Sequence, residues 1–152
     1  MNEILLVVTG TLLAMLTGFF FGWSVSVMGG LGRLSDGEYV RAMQSINKVI
    51  LNPLFFIIFM GPVVLLPWVT LLYADNGMFI ALLGSSILYV VGTFGVTIAG
   101  NVPLNDRLDK ASESDAPKVR AAFESKWNRL HTFRTVCGVL STVLFFVACI
   151  YG

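Results

Sequence analysis

Long charge-free stretches constrain the fold of this chain more than any other feature. Residues 4–32 contain no Asp, Glu, Lys or Arg, and about 20 apolar residues are enough to cross the hydrocarbon core of a bilayer. With this first span placed at about 4–29, three further apolar segments follow at about 49–73, 78–101 and 130–150. Only 12% of the residues are charged, against about 25% in soluble domains. The sequence therefore predicts an all-α fold, an integral membrane four-helix bundle.

The charged residues are concentrated in two connections between the spans. All ten Lys and Arg fall within 33–48 and 107–134, and we expect helical extensions of the bundle at about 33–48 and 106–129. Four spans place both connections on one side of the membrane, which the positive-inside rule makes the cytoplasmic side. We predict a single domain, residues 1–152, in the plasma (inner) membrane, with cytoplasmic helical extensions and both termini outside.

Composition and counting exclude several classes of function. The net charge of +1 and the lack of a basic patch interleaved with aromatics argue against nucleic acid as a partner. The chain has one His and two cysteines, Cys137 and Cys149. These cysteines should lie roughly 18 Å apart on one helix, so no metal site is expected. The absence of Asp and Glu inside the spans argues against an ion-coupled transporter.

The stretch from Asn101 to Asn105 closes the third apolar segment with two carboxamides on one side of a helix. Pro103 lies between them, lacks a backbone N–H and should disturb that helix. Four more hydrogen-bonding side chains precede them at spacing four: Ser85, Tyr89, Thr93 and Thr97. Such a row drifts by about 40° per step on an α-helix, so it should wind around it. It suggests a side facing protein or a wet cavity, although Ser and Thr can also bond to their own helix backbone.

The fourth span carries a polar stripe at its entrance. Its members fall within about 80° of one another on a helix: Trp127, His131, Arg134, Gly138 and Ser141. Histidine accepts protons near neutral pH, and carboxamides and guanidinium can hold a developing oxyanion. We therefore predict His131, Arg134, Asn101 and Asn105 as catalytic candidates for an apolar, enolisable substrate that arrives from the lipid. The alternative is a structural hydrogen-bond network that ties helix ends together.

A second polar face is predicted before the second span. Ser35 and Glu38 have the spacing of a capping box, so a helix should begin there and run on into the second span. Its polar face would carry Arg41, Gln44, Lys48 and Asn52, with Asn47 beside them. Gln44, Asn47 and Asn52, together with Trp127, are the candidate substrate-binding residues. The alternative is a solvated interfacial face with snorkelling cations.

Two further signals concern helix packing. Small residues recur at spacing four along the first span, which predicts a packing groove for another helix: Gly10, Ala14, Gly18, Gly22, Ser26 and Gly30. Asp115 and Pro117 are typical of a helix start. We expect the helix that begins there to continue into the fourth span.

Three blocks of sequence carry a resemblance to a known family. They are YVRAMQSIN from Tyr39 to Asn47, NVPLND from Asn101 to Asp106, and WNRLHTFRT from Trp127 to Thr135. In this order, after a glycine-rich first span, they resemble the small four-helix membrane proteins of the DUF1772 family, grouped with the anthrone oxygenases. The resemblance covers the whole chain. It implies oxidation of an anthrone to an anthraquinone by O2 without a cofactor. It also implies a set of site residues: Asn101, Asn105, His131 and Arg134, with Gln44, Asn47 and Trp127 beside them.

Three hypotheses for function remain open. The first is a cofactor-independent oxygenase on an anthrone- or quinol-like hydrophobic small-molecule substrate. In it His131 removes a proton, and Asn101, Asn105 and Arg134 stabilise the enolate that reduces O2. The second is a non-enzymatic protein that binds a membrane lipid or a hydrophobic small molecule, or an accessory subunit of a membrane complex. The third is a small channel or transporter subunit, in which a homo-oligomer lines a pore with the polar row of the third span.

Overall fold

Five long helices make up most of the chain in a computed structural model, which describes residues 2–151 except the side chain of Glu113. They are α1 (Asn2–Leu31), α2 (Asp36–Ile50), α3 (Pro53–Leu72), α4 (Phe79–Asp109) and α5 (Ala116–Tyr151). All but α2 are long and apolar enough to cross a membrane. The predicted all-α integral membrane four-helix bundle is confirmed, and Met1 and Gly152, the ends of the predicted domain, lie outside the described residues.

Two apolar clusters hold the helices together. The first, the membrane core, lies between α1, α3, α4 and α5 and includes Leu13, Phe20, Phe59, Leu66, Leu82, Tyr89 and Phe145. The second, the head core, packs α2 against the charged ends of α4 and α5 and includes Tyr39, Met43, Leu108, Phe123 and Trp127. Because α5 is one uninterrupted helix of 36 residues, it contributes to both cores. The predicted continuation from the extension into the fourth span is therefore confirmed.

The start of α1 and the end of α5 lie at the same end of the bundle. Glu3 of α1 and Cys149 of α5 line one groove there, while the segments that carry Lys and Arg lie at the other end. This arrangement agrees with four membrane crossings. The assignment of the terminal end to the outside remains a prediction.

The helix that starts at Ser35 does not run into the second span. α2 ends at Ile50 and α3 begins at Pro53, because proline lacks a backbone N–H and disfavours helical backbone at the preceding residue. Asn52 instead caps α3. Its Oδ1 accepts from the Phe55 N–H at 3.0 Å, and its Nδ2 donates to the Val49 carbonyl at 2.9 Å. The prediction of one continuous helix was wrong, and Asn52 does not belong to the polar face of α2.

The capping box at the start of α2 is confirmed. The Ser35 hydroxyl and backbone N–H donate to the Glu38 carboxylate at 2.6 and 3.0 Å. These two hydrogen bonds lower the pKa of Glu38 below its ordinary value. The contribution of the box to helix stability is therefore present above the unfolded pKa and is lost as the pH falls through the lowered folded pKa.

α4 departs from regular α-helical geometry over most of its middle. Leu88–Gly95 and Thr97–Asn101 are π-helical, and i→i+5 hydrogen bonds widen the turn. Each residue then rotates less about the helix axis than in an α-helix, and this offsets the drift of side chains that are spaced four residues apart. The polar row is buried from Ser85 to Asn101, and it contacts two neighbouring helices, because Tyr89 bonds to α3 whereas Ser85 and Thr93 bond to α5. Pro103 does not end the helix, which continues to Asp109.

The polar row binds α4 to its neighbours in the bundle. Ser85 donates to the Ser141 carbonyl at 2.8 Å, Tyr89 to the Phe59 carbonyl at 2.8 Å and Thr93 to the Arg134 carbonyl at 3.0 Å. Only Thr97 bonds to its own helix, at the Thr93 carbonyl. Since these groups face protein inside one protomer, the row offers no lining for a pore between protomers.

Among the glycines of the small-residue row of α1, close packing occurs at Gly10 alone. A Cβ there would lie 2.7 Å from Phe145 Cε1, whereas nothing lies within 4 Å of such an atom at Gly18, Gly22 or Gly30. Within one protomer, the predicted close helix approach therefore does not extend along the whole row. Close helix approach occurs elsewhere, because a Cβ on Gly92 of α4 would lie 2.6 Å from Cys137 Sγ of α5.

We predict that Gly92→Ala destabilises the bundle by about 1–3 kcal/mol, since the added methyl overpacks a filled contact. Gly18→Ala is the matched control, because its methyl would meet open space. Thermal unfolding of the two variants in the same detergent checks this. Equal unfolding midpoints would show that α4 and α5 are not in this contact.

Candidate functional site

A group of polar side chains lies between the two apolar cores. We call it the polar layer, and it consists of Ser24, Thr97, Asn101, His131 and Arg134. The His131 ring stacks on Trp127 of the head core, with ring centroids 5.0 Å apart, and meets Phe20 of the membrane core edge-on at 5.6 Å. His131 and Asn101 are fully buried and Arg134 is 7% exposed. The predicted stripe on α5 thus faces the interior.

Arg134 is a buried cation held by neutral groups. Its Nε and Nη2 lie 3.2 and 2.9 Å from His131 Nδ1, and its Nη1 donates to Thr97 Oγ1 at 3.1 Å. The guanidinium also lies 4.1 Å from the Phe20 ring centroid and 5.4 Å from that of Trp127, where ring faces attract a cation. No carboxylate of the described residues forms an ion pair with it. Its charge is therefore left without a countercharge.

The hydrogen bonds of His131 define its tautomer. Nε2 lies 3.1 Å from the Phe20 carbonyl oxygen, which can only accept, so Nε2 carries the proton. Nδ1 then presents a lone pair, and both facing nitrogens of Arg134 are donors. Ser24 Oγ lies 3.0 Å from Nε2. The imidazole is thus neutral at rest, and its basic nitrogen faces the guanidinium.

The two asparagines of α4 bracket Trp127. Asn101 Nδ2 donates to the Trp127 carbonyl at 3.3 Å, and Asn105 Oδ1 accepts from Trp127 Nε1 at 2.8 Å. These bonds fix the indole on which His131 stacks. The structure therefore brings the four predicted catalytic candidates together with Trp127, although neither asparagine bonds directly to His131 or Arg134.

Gln44 and Asn47 lie elsewhere, at the end of α4. Gln44 Nε2 donates to the Leu108 carbonyl at 2.9 Å and to the Ala111 carbonyl at 3.3 Å. Asn47 Nδ2 donates to Asp109 Oδ1 at 3.0 Å. These bonds attach α2 to the connection between α4 and α5. The structure does not bring these two predicted substrate-binding residues to the polar layer.

α1 contributes side chains that the sequence patterns did not indicate. Trp23 and Ser24 belong to a π-helical turn, Trp23–Val27, and the Trp23 ring lies 6.0 Å from that of Trp127 and 6.4 Å from that of His131. The only sequence feature that could have indicated these two residues was a Trp-Ser pair inside an apolar helix. Among described side chains, buried Trp23 Nε1 and Asn101 Oδ1 lack a hydrogen-bond partner. Since an unmade buried hydrogen bond costs about 1–3 kcal/mol, these atoms mark a free donor and a free acceptor.

A family match covers most of this site. The family model described as anthrone oxygenase matches residues 55–144, more than half of the chain's 152 residues. The chain belongs to the anthrone oxygenase family. The match confirms the predicted resemblance and includes Asn101, Asn105, His131 and Arg134, while α1 and α2 lie outside it. No curated protein and no solved structure matches this anthrone oxygenase family member.

A lateral groove of this anthrone oxygenase family member is lined by Trp23, which also packs beside the polar layer. It has a volume of about 290 Å³ and lies between α1 and the junction of α2 with α3. Its lining includes Phe19, Trp23, Ile46, Ile50 and Asn52. Asn52 thus borders the groove while its amide caps α3. Trp23 connects the two regions, because it lines the groove and packs against Trp127.

We predict that Thr97→Val destabilises the protein by about 1.5–3 kcal/mol more than Thr70→Val, the range for a hydrogen bond to a charged group. Both threonines are buried and donate to their own helix backbone at 2.7 Å, but only Thr97 also accepts from Arg134. Thermal unfolding of the two variants in one detergent checks the difference. Identical losses would mean that Thr97 does not hold the guanidinium.

Proposed function

We propose that this member of the anthrone oxygenase family oxidises an anthrone- or quinol-like hydrophobic substrate with O2 in the polar layer, without a cofactor. The observation that carries the proposal is the pairing of Arg134, a buried cation without a carboxylate partner, with the neutral His131. A buried positive charge of this kind stabilises a negative charge that develops during reaction. Family membership supports the same chemistry.

The first step is removal of an acidic C–H or O–H proton by His131. The lone pair of Nδ1 becomes available for this proton when the Arg134 guanidinium moves its hydrogen bonds from Nδ1 to the substrate oxygen. The resulting imidazolium keeps its Nε2–H near the Phe20 carbonyl and Ser24. Total charge in the polar layer is unchanged, because the proton stays within it. Arg134 exchanges a neutral acceptor for an anionic one, which makes a stronger hydrogen bond.

The second step is reduction of O2 by the enolate. For an anthrone, the carbon that lost its proton forms a bond to oxygen, and loss of water then leaves a carbonyl. The methylene group and O2 become one carbonyl group and one water molecule. For a quinol, two electrons and two protons pass to O2 and give a quinone and hydrogen peroxide. Neither balance requires another oxidant.

Substrate binding would use the groove beside α1 and the two unpartnered atoms. A hydrophobic substrate can reach Trp23 from the lipid through this groove of about 290 Å³. A substrate carbonyl can accept from Trp23 Nε1, and a hydroxyl can donate to Asn101 Oδ1. A ligand with both groups would satisfy both atoms. In this proposal Asn105 acts indirectly, by holding Trp127.

We predict that His131→Ala and Arg134→Gln each lower turnover of an anthrone at least about 100-fold, the range for loss of a general base or of an oxyanion donor. O2 uptake by the purified protein measures this, with a check that each variant remains monodisperse. Thr70→Val, distant from the polar layer, should keep full turnover. Full activity in His131→Ala would remove His131 from the proton transfer.

We predict that Trp23→Phe raises KM about tenfold, which corresponds to one hydrogen bond of about 1.4 kcal/mol. The lost N–H should not itself lower thermal stability, because it has no partner in the free protein, so any fall should reflect only the packing of the smaller ring against Trp127. Trp68→Phe, an exposed Trp on α3, is the control and should change neither quantity. An unchanged KM in Trp23→Phe would show that the indole N–H does not contact substrate.

The second candidate function is binding of a hydrophobic small molecule or lipid without chemistry. It is favoured by the resting geometry, in which Arg134 occupies the only lone pair of His131 and the pair could hold an anion as it stands. Mass spectrometry of molecules that co-purify with the protein separates the two functions. A stoichiometric bound molecule, together with no O2 uptake on any anthrone, would favour binding alone.

A further inference from the structure

A larger groove lies between α4 and α5, at the end of the bundle that carries the Lys and Arg residues. We call it the α4–α5 groove, and its volume is about 1370 Å³. One half is apolar and is lined by Ala99, Leu130, Phe133 and Val136, among others. The other half is lined by the cations Arg107, Lys126 and Arg129. Along α5 the distance from Val136 to Lys126 is about 15 Å, so polarity changes along the groove's length.

The three cations have no acidic partner among the residues that the structure describes. Arg107, Lys126 and Arg129 are exposed, and none forms an ion pair within the part of the chain that the structure describes. The groove also contains Glu124, but Arg120 Nε binds that carboxylate at 2.8 Å. One end of the groove therefore keeps three uncompensated positive charges.

The apolar half of the groove leaves large hydrophobic side chains exposed. Phe133 is 55% exposed and Val136 is 52% exposed, and both lie on a helix that crosses the membrane. A small soluble anion would neutralise the cations and leave these side chains uncovered. An acyl chain covers them, and a phosphate fits the guanidinium and ammonium donors.

We propose that the α4–α5 groove binds one anionic phospholipid. Its phosphate lies against Arg107, Lys126 and Arg129, and an acyl chain runs along Leu130, Phe133 and Val136. Basic pockets between membrane helices at the headgroup level bind anionic lipids in this way. The groove is separate from the polar layer, because His131 and Arg134 point into the bundle while the cations of the groove are exposed. The proposal therefore does not depend on the oxygenase function.

The test is lipid retention by the purified full-length protein. The protein in detergent is titrated with dioleoyl phosphatidylglycerol or dioleoyl phosphatidylcholine, and bound lipid is counted by native mass spectrometry. We expect one phosphatidylglycerol to bind in preference to phosphatidylcholine and to raise the thermal midpoint. The triple variant Arg107→Gln, Lys126→Gln, Arg129→Gln should bind it about 100-fold more weakly, given the contribution of each basic residue near a membrane surface.

The matched control is Arg33→Gln, Lys48→Gln, Lys118→Gln, which removes the same charge from exposed positions outside the groove. This control should retain the lipid. Equal losses in the two triple variants, or equal binding of the two lipids, would overturn the proposal. An equal rise of the thermal midpoint with inorganic phosphate would also overturn the proposal, because a soluble anion would then be enough to account for binding at the three cations. If the triple variant does not fold, Arg107→Gln and Arg129→Gln are tested singly, and unchanged retention in both would reject the site.

Discussion

A guanidinium inside an apolar helix bundle has to be held by groups that carry no charge. Arg134 meets this requirement with an imidazole nitrogen, a threonine hydroxyl and the faces of two aromatic rings. Breaking such an arrangement by removing one partner is expensive, because a buried charge without partners costs several kcal/mol. The surrounding residues therefore have little freedom. His131 must stay neutral, Thr97 must face α5, and the rings of Phe20 and Trp127 must stay against the cation.

Two helices accommodate the buried guanidinium through local changes in helix geometry. α1 and α4 both contain π-helical turns that contribute to the polar layer, Trp23–Val27 and Thr97–Asn101. π-Helical turns are rare in proteins overall, and those that do occur are often found at functional sites. In α1 the turn presents Ser24 to His131. In α4 it keeps Thr97 and Asn101 on the side that faces α5. The polar layer is thus built on widened turns of two helices and on the regular helix α5.

The periodicity of the sequence was sufficient for the spans and for the stripe of α5. Hydropathy and the 3.6-residue repeat depend on the chain alone, so Trp127, His131 and Arg134 could be placed on one face correctly. Helix breaks and π turns depend on tertiary contacts. For this reason the end of α2 before Asn52, the π-helical turns of α4 and the position of Trp23 beside the polar layer were missed. Gln44 and Asn47 were correctly placed on one helix, but no local pattern indicates that this helix binds the end of α4. The catalytic and substrate-binding roles of all these residues remain predictions.

Trp127 connects most of the features described above. Its carbonyl and its Nε1 bind Asn101 and Asn105, and its ring stacks on His131 and packs near Trp23. The chain has only three tryptophans, and the third, Trp68, is exposed on α3. Two of the three indoles that emit in the ultraviolet therefore lie beside the candidate site, so a molecule that enters there should change the tryptophan emission of the protein.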